Sequence, residues 1–408
     1  MATSRRRGAA ALTLLALALG VAACGKTQSQ HTASGGPTHA VAPVAAPGAV
    51  SVATRNTTRL GGGDVTADAA AVARTVYPGL TGETRPHAVL LVDRHNWPAA
   101  LAASSLAAAP LGAPIVYSEG LTVPEVSHQT IEAMHPTGAS ALGGTQVISV
   151  GGAAGPSGLL TRSVPVGEPI AGAVAIENVL LAAEGSKASR AAIVLALEAP
   201  QAMLMPAAGL AAESGAPILF VTRAGVPAAT AAALRALRAP AIYVIDAAAI
   251  GPHALGQLGH LGTVTAVSSG GGEEASPAAN AIAVARYTNG HFGWGIKEPG
   301  HGLVFANASR PLDAPAAAPL SATGDYGPLL LLESADALPV PLISYLSDIQ
   351  PAYTSAPQFL PVRGVYNHGW LIGDESAISA VTQAELDSLL QISPRKQSPE
   401  EASVTQAE

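Results

Sequence analysis

The chain of 408 residues has one cysteine, Cys24, so it forms no internal disulfide and draws no stability from cross-links. Aromatic residues are only 4% of the sequence, while hydrophobic residues of all kinds are 49%. The cores therefore have to be built from Ala, Val, Leu and Ile. Charge is scarce as well, with 21 Lys and Arg against 28 Asp and Glu. That mildly acidic balance leaves no basic footprint for nucleic acid. Beyond residue 24 no apolar run approaches the ~20 residues that span a bilayer core. Leu329–Leu332 is bracketed by Pro328 and Pro339 and followed by Glu333 and Asp336, which makes it a buried strand.

Catalytic patterns are missing too. The histidines at 87, 95, 128, 135, 253, 260, 291, 301 and 368 show no paired spacing beside a glutamate, so no metal site is expected. His253 and His260 are separated by Gly256 and Gly259 and fit a surface turn. No Gly-x-Ser-x-Gly follows a strand. Gly61-Gly62-Gly63 precedes a helix, where backbone N–H groups can cradle an anion, but no Lys-Ser or Lys-Thr follows, as a P-loop requires. A tight turn with Asp64 as N-cap is the plainer account. We expect neither a cofactor nor an enzyme, since nucleophile, metal set and paired carboxylates are all without a pattern.

What is present begins at the N-terminus. Arg5 to Arg7 form a positive segment, Gly8 to Gly20 an apolar one, and Val21-Ala22-Ala23-Cys24-Gly25 supplies small residues at a cleavage point. This is an export signal over residues 1–23, too short for a permanent span. The stretch resembles the lipobox of bacterial lipoproteins, which implies lipidation at Cys24 and attachment to the outer side of the membrane, facing the cell wall. An ordinary secretory cut at Ala23 is the alternative, and it leaves an odd thiol. Residues 24–54 are rich in Gly, Pro, Ala, Ser, Thr and Gln, a composition that reads as a disordered tether.

The remainder repeats itself. Ala88 to Asp93, a polar turn, Pro98 to Ala109 and Gly112 to Tyr117 make one passage. Ala191 to Leu197, Pro200 to Ala212 and Gly215 to Phe220 make a second; Gly302 to Asn307, Pro311 to Ala322 and Tyr326 to Leu331 make a third. Each is an apolar run, an Ala-rich segment of helical length, a Gly/Pro break and another apolar run, hence β-α-β with a parallel sheet buried on both faces. A further strand is expected at Val147 to Val150, Ile242 to Ile245 and Trp370 to Ile372. Ala-Val-Ala-Arg recurs at Ala71 to Arg74 and Ala283 to Arg286, marking a helix ahead of the passage. The fold class is α/β: three tandem Rossmann-like three-layer modules over 55–162, 163–270 and 271–394, with a polar tail at 395–408.

In open parallel sheets ligands bind beyond the carboxyl ends of the strands. The residues there are Asp93, Arg94, His95, Asn96 and Trp97 in the first copy and Asn307, Ser309, Arg310 and Asp313 in the third, whereas the second offers Glu198 and Gln201. Solvated turns that cap Ala-rich helices are an equally available account.

The pattern resembles the cell wall-binding repeat 2 family over roughly Thr58 to Ile392. Arg59-Leu60-Gly61-Gly62-Gly63-Asp64 with Thr66-Ala67 is similar to the family's repeat opening, which adds Arg59 and Asp64 to the candidate ligand residues. Trp97-Pro98-Ala99-Ala100-Leu101-Ala102-Ala103 and Gly112-Ala113-Pro114-Ile115-Val116 resemble its central signature, with Ala99 where an acid is expected. Gln201-Ala202-Met203-Leu204 departs further; Pro311-Leu312-Asp313-Ala314 keeps an acid near the place. The resemblance implies three modules that hold an anionic cell-wall polymer non-covalently, or a wall-associated partner. A solute-binding lipoprotein delivering a small molecule to a transporter is the rival, and a wall-remodelling enzyme a third reading.

Overall fold

The computed structural model describes residues 52–185, 189–269, 275–322, 327–353 and 366–394. The export signal, Cys24, nearly all of the tether and the tail lie outside them. β1 (Val52–Ala53) and β2 (Thr57–Leu60) lead into α1 (Val65–Val76). β3 (Val89–Asp93), α2 (Trp97–Ala103), β4 (Ile115–Ser118), α3 (Glu125–Met134), β5 (Val147–Val150) and β6 (Thr161–Val164) follow. After α4 (Pro169–Glu184) come β7 (Ala191–Ala196), α5 (Gln201–Leu204), α6 (Pro206–Ser214), β8 (Ile218–Val221), α7 (Ala228–Ala236), β9 (Ala241–Val244), α8 (Pro252–Gly259) and β10 (Thr263–Ala266). After α9 (Pro277–Arg286) come β11 (Gly302–Asn307), α10 (Asp313–Ala322), β12 (Leu329–Leu332), α11 (Val340–Asp348), β13 (Ala352–Tyr353), β14 (His368–Ile372), α12 (Ala380–Leu390) and β15 (Ser393–Pro394).

Apart from the short parallel pair β13-β15, the strands assort into three sheets with one order: β4-β3-β5-β6, β8-β7-β9-β10 and β12-β11-β14-β2, the last extended by β1. Within each order every pair is parallel, and β1 alone runs antiparallel, on β2. This is the expected α/β class with parallel sheets. The structure adds a fourth strand to each sheet. Thr161–Val164 and Thr263–Ala266 are polar and half exposed, so they show none of the apolar continuity that marks a strand buried on both faces. The third sheet takes its fourth strand from the other end of the chain: Thr57–Leu60 lies in register with Gly369–Ile372.

Period-two alternation divides the strands between two cores. In β3, Val89 and Leu91 face Ile131 and Met134 of α3, while Leu90 and Val92 face inward. In β11, Leu303 and Phe305 meet Leu342 and Tyr345 of α11 and Leu386 of α12 on the outer side, while Val304 and Ala306 face inward. The inner faces share one core that runs through all three sheets.

Ala-rich helices fill that core. Residues 313–321 of α10 are buried all round, which a helix tolerates only inside a protein. α10 packs on α6, and both meet the helical turn Ser104–Ala107 that continues α2. Ala107, Ala212 and Ala318, one from each, come together in a small cluster of their own. The helix after each fourth strand then crosses to the next sheet: α1 onto β4, α4 onto β8 and α9 onto β12. With β2 lent to the third sheet, these crossings close a ring.

Close approach at the centre depends on small residues. A Cβ on Gly209 would stand 2.8 Å from Ser321 Oγ, whose hydroxyl is held by the Gly327 carbonyl at 2.9 Å. Gly209→Ala should therefore overpack the helix junction and destabilise the protein by about 1–3 kcal/mol. Thermal unfolding would check this, with a melting temperature several degrees below that of the parent as the expected outcome.

Candidate functional site

The carboxyl ends of β3, β7 and β11 occupy equivalent places, since Asp93, Ala196 and Asn307 each close the pairing with the neighbouring strand. Three residues further on stand Asn96, Ala199 and Arg310, and three beyond those Ala99, Ala202 and Asp313. One topological position thus has three different chemistries.

In the first corner Asp93 Oδ1 accepts from the backbone N–H of His95 at 3.1 Å and of Gly120 at 3.0 Å, and meets His95 Nδ1 at 3.0 Å. Burial works to raise this carboxyl, but those hydrogen bonds prevail and hold it below its ordinary value. Gly151 follows β5 at φ +118°, where a Cβ would lie 2.7 Å from the Asp93 Cβ. Glycine lets that loop close over the carboxylate. Arg94 reaches Glu119 at 3.1 Å, and the two side chains are 30% and 52% exposed. Asn96 caps α2 by accepting from Ala99 N at 3.2 Å, and its amide donates to the Val166 carbonyl at 2.9 Å. Trp97 is buried, its indole N–H without a partner.

The third corner faces inward. Arg59, on β2, is 2% exposed. Its Nε donates to Gln383 Oε1 at 3.1 Å, Nη1 to the carbonyls of Gly373 at 3.0 Å and Asp374 at 2.8 Å, and Nη2 to Ile378 O at 2.7 Å and Gln383 Oε1 at 2.8 Å. This guanidinium joins β2 to the turn after β14 and the start of α12. Asp64 caps α1 by accepting from Thr66 N at 2.8 Å and Ala67 N at 2.9 Å. Asn307 is buried and donates to the Ala377 carbonyl at 2.8 Å, while its Oδ1 accepts from Ser309.

Arg310 Nε donates to Asp313 Oδ2 at 2.8 Å, and its Nη2 to Asp68 Oδ2. Both carboxylates are wholly buried. Asp68 also accepts from Gly62 N at 2.7 Å, so the Gly-rich turn wraps a side chain of its own helix. Asp68 carried no sequence signal beyond its place four residues after Asp64. Of the nine candidates, the structure gathers Arg310 and Asp313 around Asp68 and Asp93, Arg94 and Asn96 around the first corner. Arg59, Asp64 and Asn307 are each committed to backbone or amide partners. The second corner is plainer: Glu198 accepts from Arg223 N at 3.0 Å.

Residues 59–151 match the family model of Cell wall binding domain 2 (CWB2). The matched stretch opens at Arg59 in β2 and ends just past β5, so it straddles two sheets. Among solved structures the chain is similar to Cwp6 from Clostridium difficile, with a TM-score of 0.63 at 15% identity over 82% of this chain and 48% of that one. Cwp8 from Clostridium difficile gives 0.61 at 17% identity over 83% and 53%. The chain spans about half the length of each, and the likeness is one of fold. No curated protein matches it.

Among the described residues no helix is long and apolar enough to cross a membrane, and no group of three or more His, Cys, Asp or Glu is placed to hold a metal. Arg59 is tied to stability by its geometry. Arg59→Ala should cost about 3 kcal/mol by stranding buried acceptors, while any wall association per folded molecule stays unchanged. Denaturant titration alongside a sedimentation assay with cell walls would separate the two effects.

Proposed function

We propose that this chain is a cell-surface protein that attaches non-covalently to a cell-wall polymer or a wall-associated partner, without catalysis, while a lipid on Cys24 holds it to the membrane. The CWB2 match over residues 59–151 carries this reading. The fold shared with Cwp6 and Cwp8 supports it, as does an inner core common to three sheets, which suits a rigid adhesive body better than two hinged lobes. The modules at 55–162, 163–270 and 271–394 are the units of this reading, with strand 57–60 lent to the last of them.

We assign the polymer contact to the first corner. Arg94 is 30% exposed and His95 59%, and both stand beyond the carboxyl end of β3, where parallel sheets present their ligand crevice. Arg59, Asp64, Asn307 and Asp313 then serve the scaffold, and Arg310 orders the third corner.

Two experiments test this. The folded body, residues 52–394, should co-sediment with isolated cell walls, and the Arg94→Ala/His95→Ala pair should weaken that binding about tenfold with little change in thermal stability. Binding no better than that of an unrelated acidic protein would overturn the reading. Cys24→Ser should move the exported protein from the membrane fraction to the soluble or wall fraction; unchanged fractionation would refute the lipid anchor.

A further inference from the structure

The third corner has a charge imbalance in its interior. Asp68 and Asp313 are wholly buried, and one guanidinium, that of Arg310, lies between them. Two carboxylates and one arginine leave a surplus negative charge where water does not reach, an arrangement that buried sites strongly disfavour. Asp313 Oδ1 moreover has no N–H or O–H donor. The neighbouring acid is Asp68, held by the same guanidinium. Two buried carboxyls on one guanidinium reach neutrality only if one of them carries a proton.

We propose that Asp68 and Asp313 share a single proton, and that this proton, clamped by Arg310, is the latch that fastens the N-terminal helix to the last unit of the fold. The shared proton brings the trio to neutrality and turns the orphaned oxygen into a hydrogen-bond partner. Both carboxyls are accordingly raised, by burial first; for Asp68 the Asp313 charge adds to it, and for Asp313 the arginine works against it.

Among the described residues the surroundings supply no second cation. Asp374, in the turn after β14, adds negative charge from a more solvated place and is itself held low by Ser376. Tyr117 on β4 gives its proton to the Leu312 carbonyl at 2.6 Å and is driven well above its ordinary value. Arg59 is spent on the Gly373, Asp374 and Ile378 carbonyls and on Gln383. On α3, Glu125 bonds Gln129, and Glu132 pairs with a part-exposed His128. Glu213, raised by burial, sits in the last turn of α6, whereas Asp313 opens α10.

The consequence follows from where the trio sits. α1 follows the strand lent to the third sheet, and it packs on α10 and on β4 of the first sheet. Losing the proton restores the buried surplus charge at that closure. Because the folded values lie above the ordinary carboxylate range, the latch contributes fully below about pH 4 and is lost as pH rises through the raised values.

Hydrogen exchange of α1 amides, corrected for intrinsic rates, should show protection falling about tenfold or more between about pH 5 and about pH 9. In Asp313→Asn, whose amide donates to Asp68 at every pH, that fall should vanish. The infrared difference between parent and variant at about pH 7 should contain one protonated-carboxyl band. Asp68→Asn is the second variant if the first fails to fold. Glu177 on α4 is also buried without a partner and raised to about 7, so parent and variants are compared in a Glu177→Gln background. Equal pH dependence in parent and variant, or no carboxyl band, would overturn the proposal.

Discussion

Three Ala-rich helical segments touch at the middle of this protein through small side chains, and that closeness governs the rest of the architecture. Ala107, Ala212 and Ala318 meet there, and Gly209 lets α6 approach Ser321 of α10. A packed interior tolerates little added volume, so the contact sets how near the three sheets stand to one another. Once they are that near, their inner faces merge into one core, and the scarcity of aromatic side chains becomes intelligible. The few rings present are packed into the cores, as where Tyr243 stacks on Phe292 at 3.7 Å.

A unit of sequence and a unit of sheet do not coincide here. The CWB2 match begins in β2, which belongs to the third sheet, and ends after β5, which belongs to the first. Each helix after a fourth strand likewise starts from one sheet and packs on an edge strand of the next. The first two sheets are each built from one continuous stretch of chain, whereas the last is completed by the first residues of the folded body. The polar bonds of Arg59 and the Asp68–Arg310–Asp313 trio both lie on that seam, where the first strand and helix of the folded body meet its last sheet.

The strand-end corners have diverged around this common frame. Asp93 is ringed by backbone donors and leaves Arg94 and His95 at the surface. The second corner presents alanines at the equivalent positions, and the third turns its charges inward. One topology thus holds a corner with exposed charges, a plain one and one whose charges are buried, as expected when side chains vary on a common fold.

Composition and periodicity determined the α/β class, the central strands and the Ala-rich helices, because burial on both faces forces continuous Val, Ile and Leu runs that can be seen without coordinates. Leu329–Leu332 and the segment from Pro98 are examples. The fourth strands have no such signal, because edge strands such as Thr161–Val164 carry polar residues and pair through backbone groups that leave no side-chain signature. Arg59, Arg310 and Asp313 were visible as polar residues near strand ends, but whether a charge faces solvent or a buried partner depends on what distant chain brings to it. Gln383, the Ile378 carbonyl and Asp68 arrive from far along the sequence. Only the tertiary structure decided which charges were spent inside, since partner distance is set by folding and not by spacing.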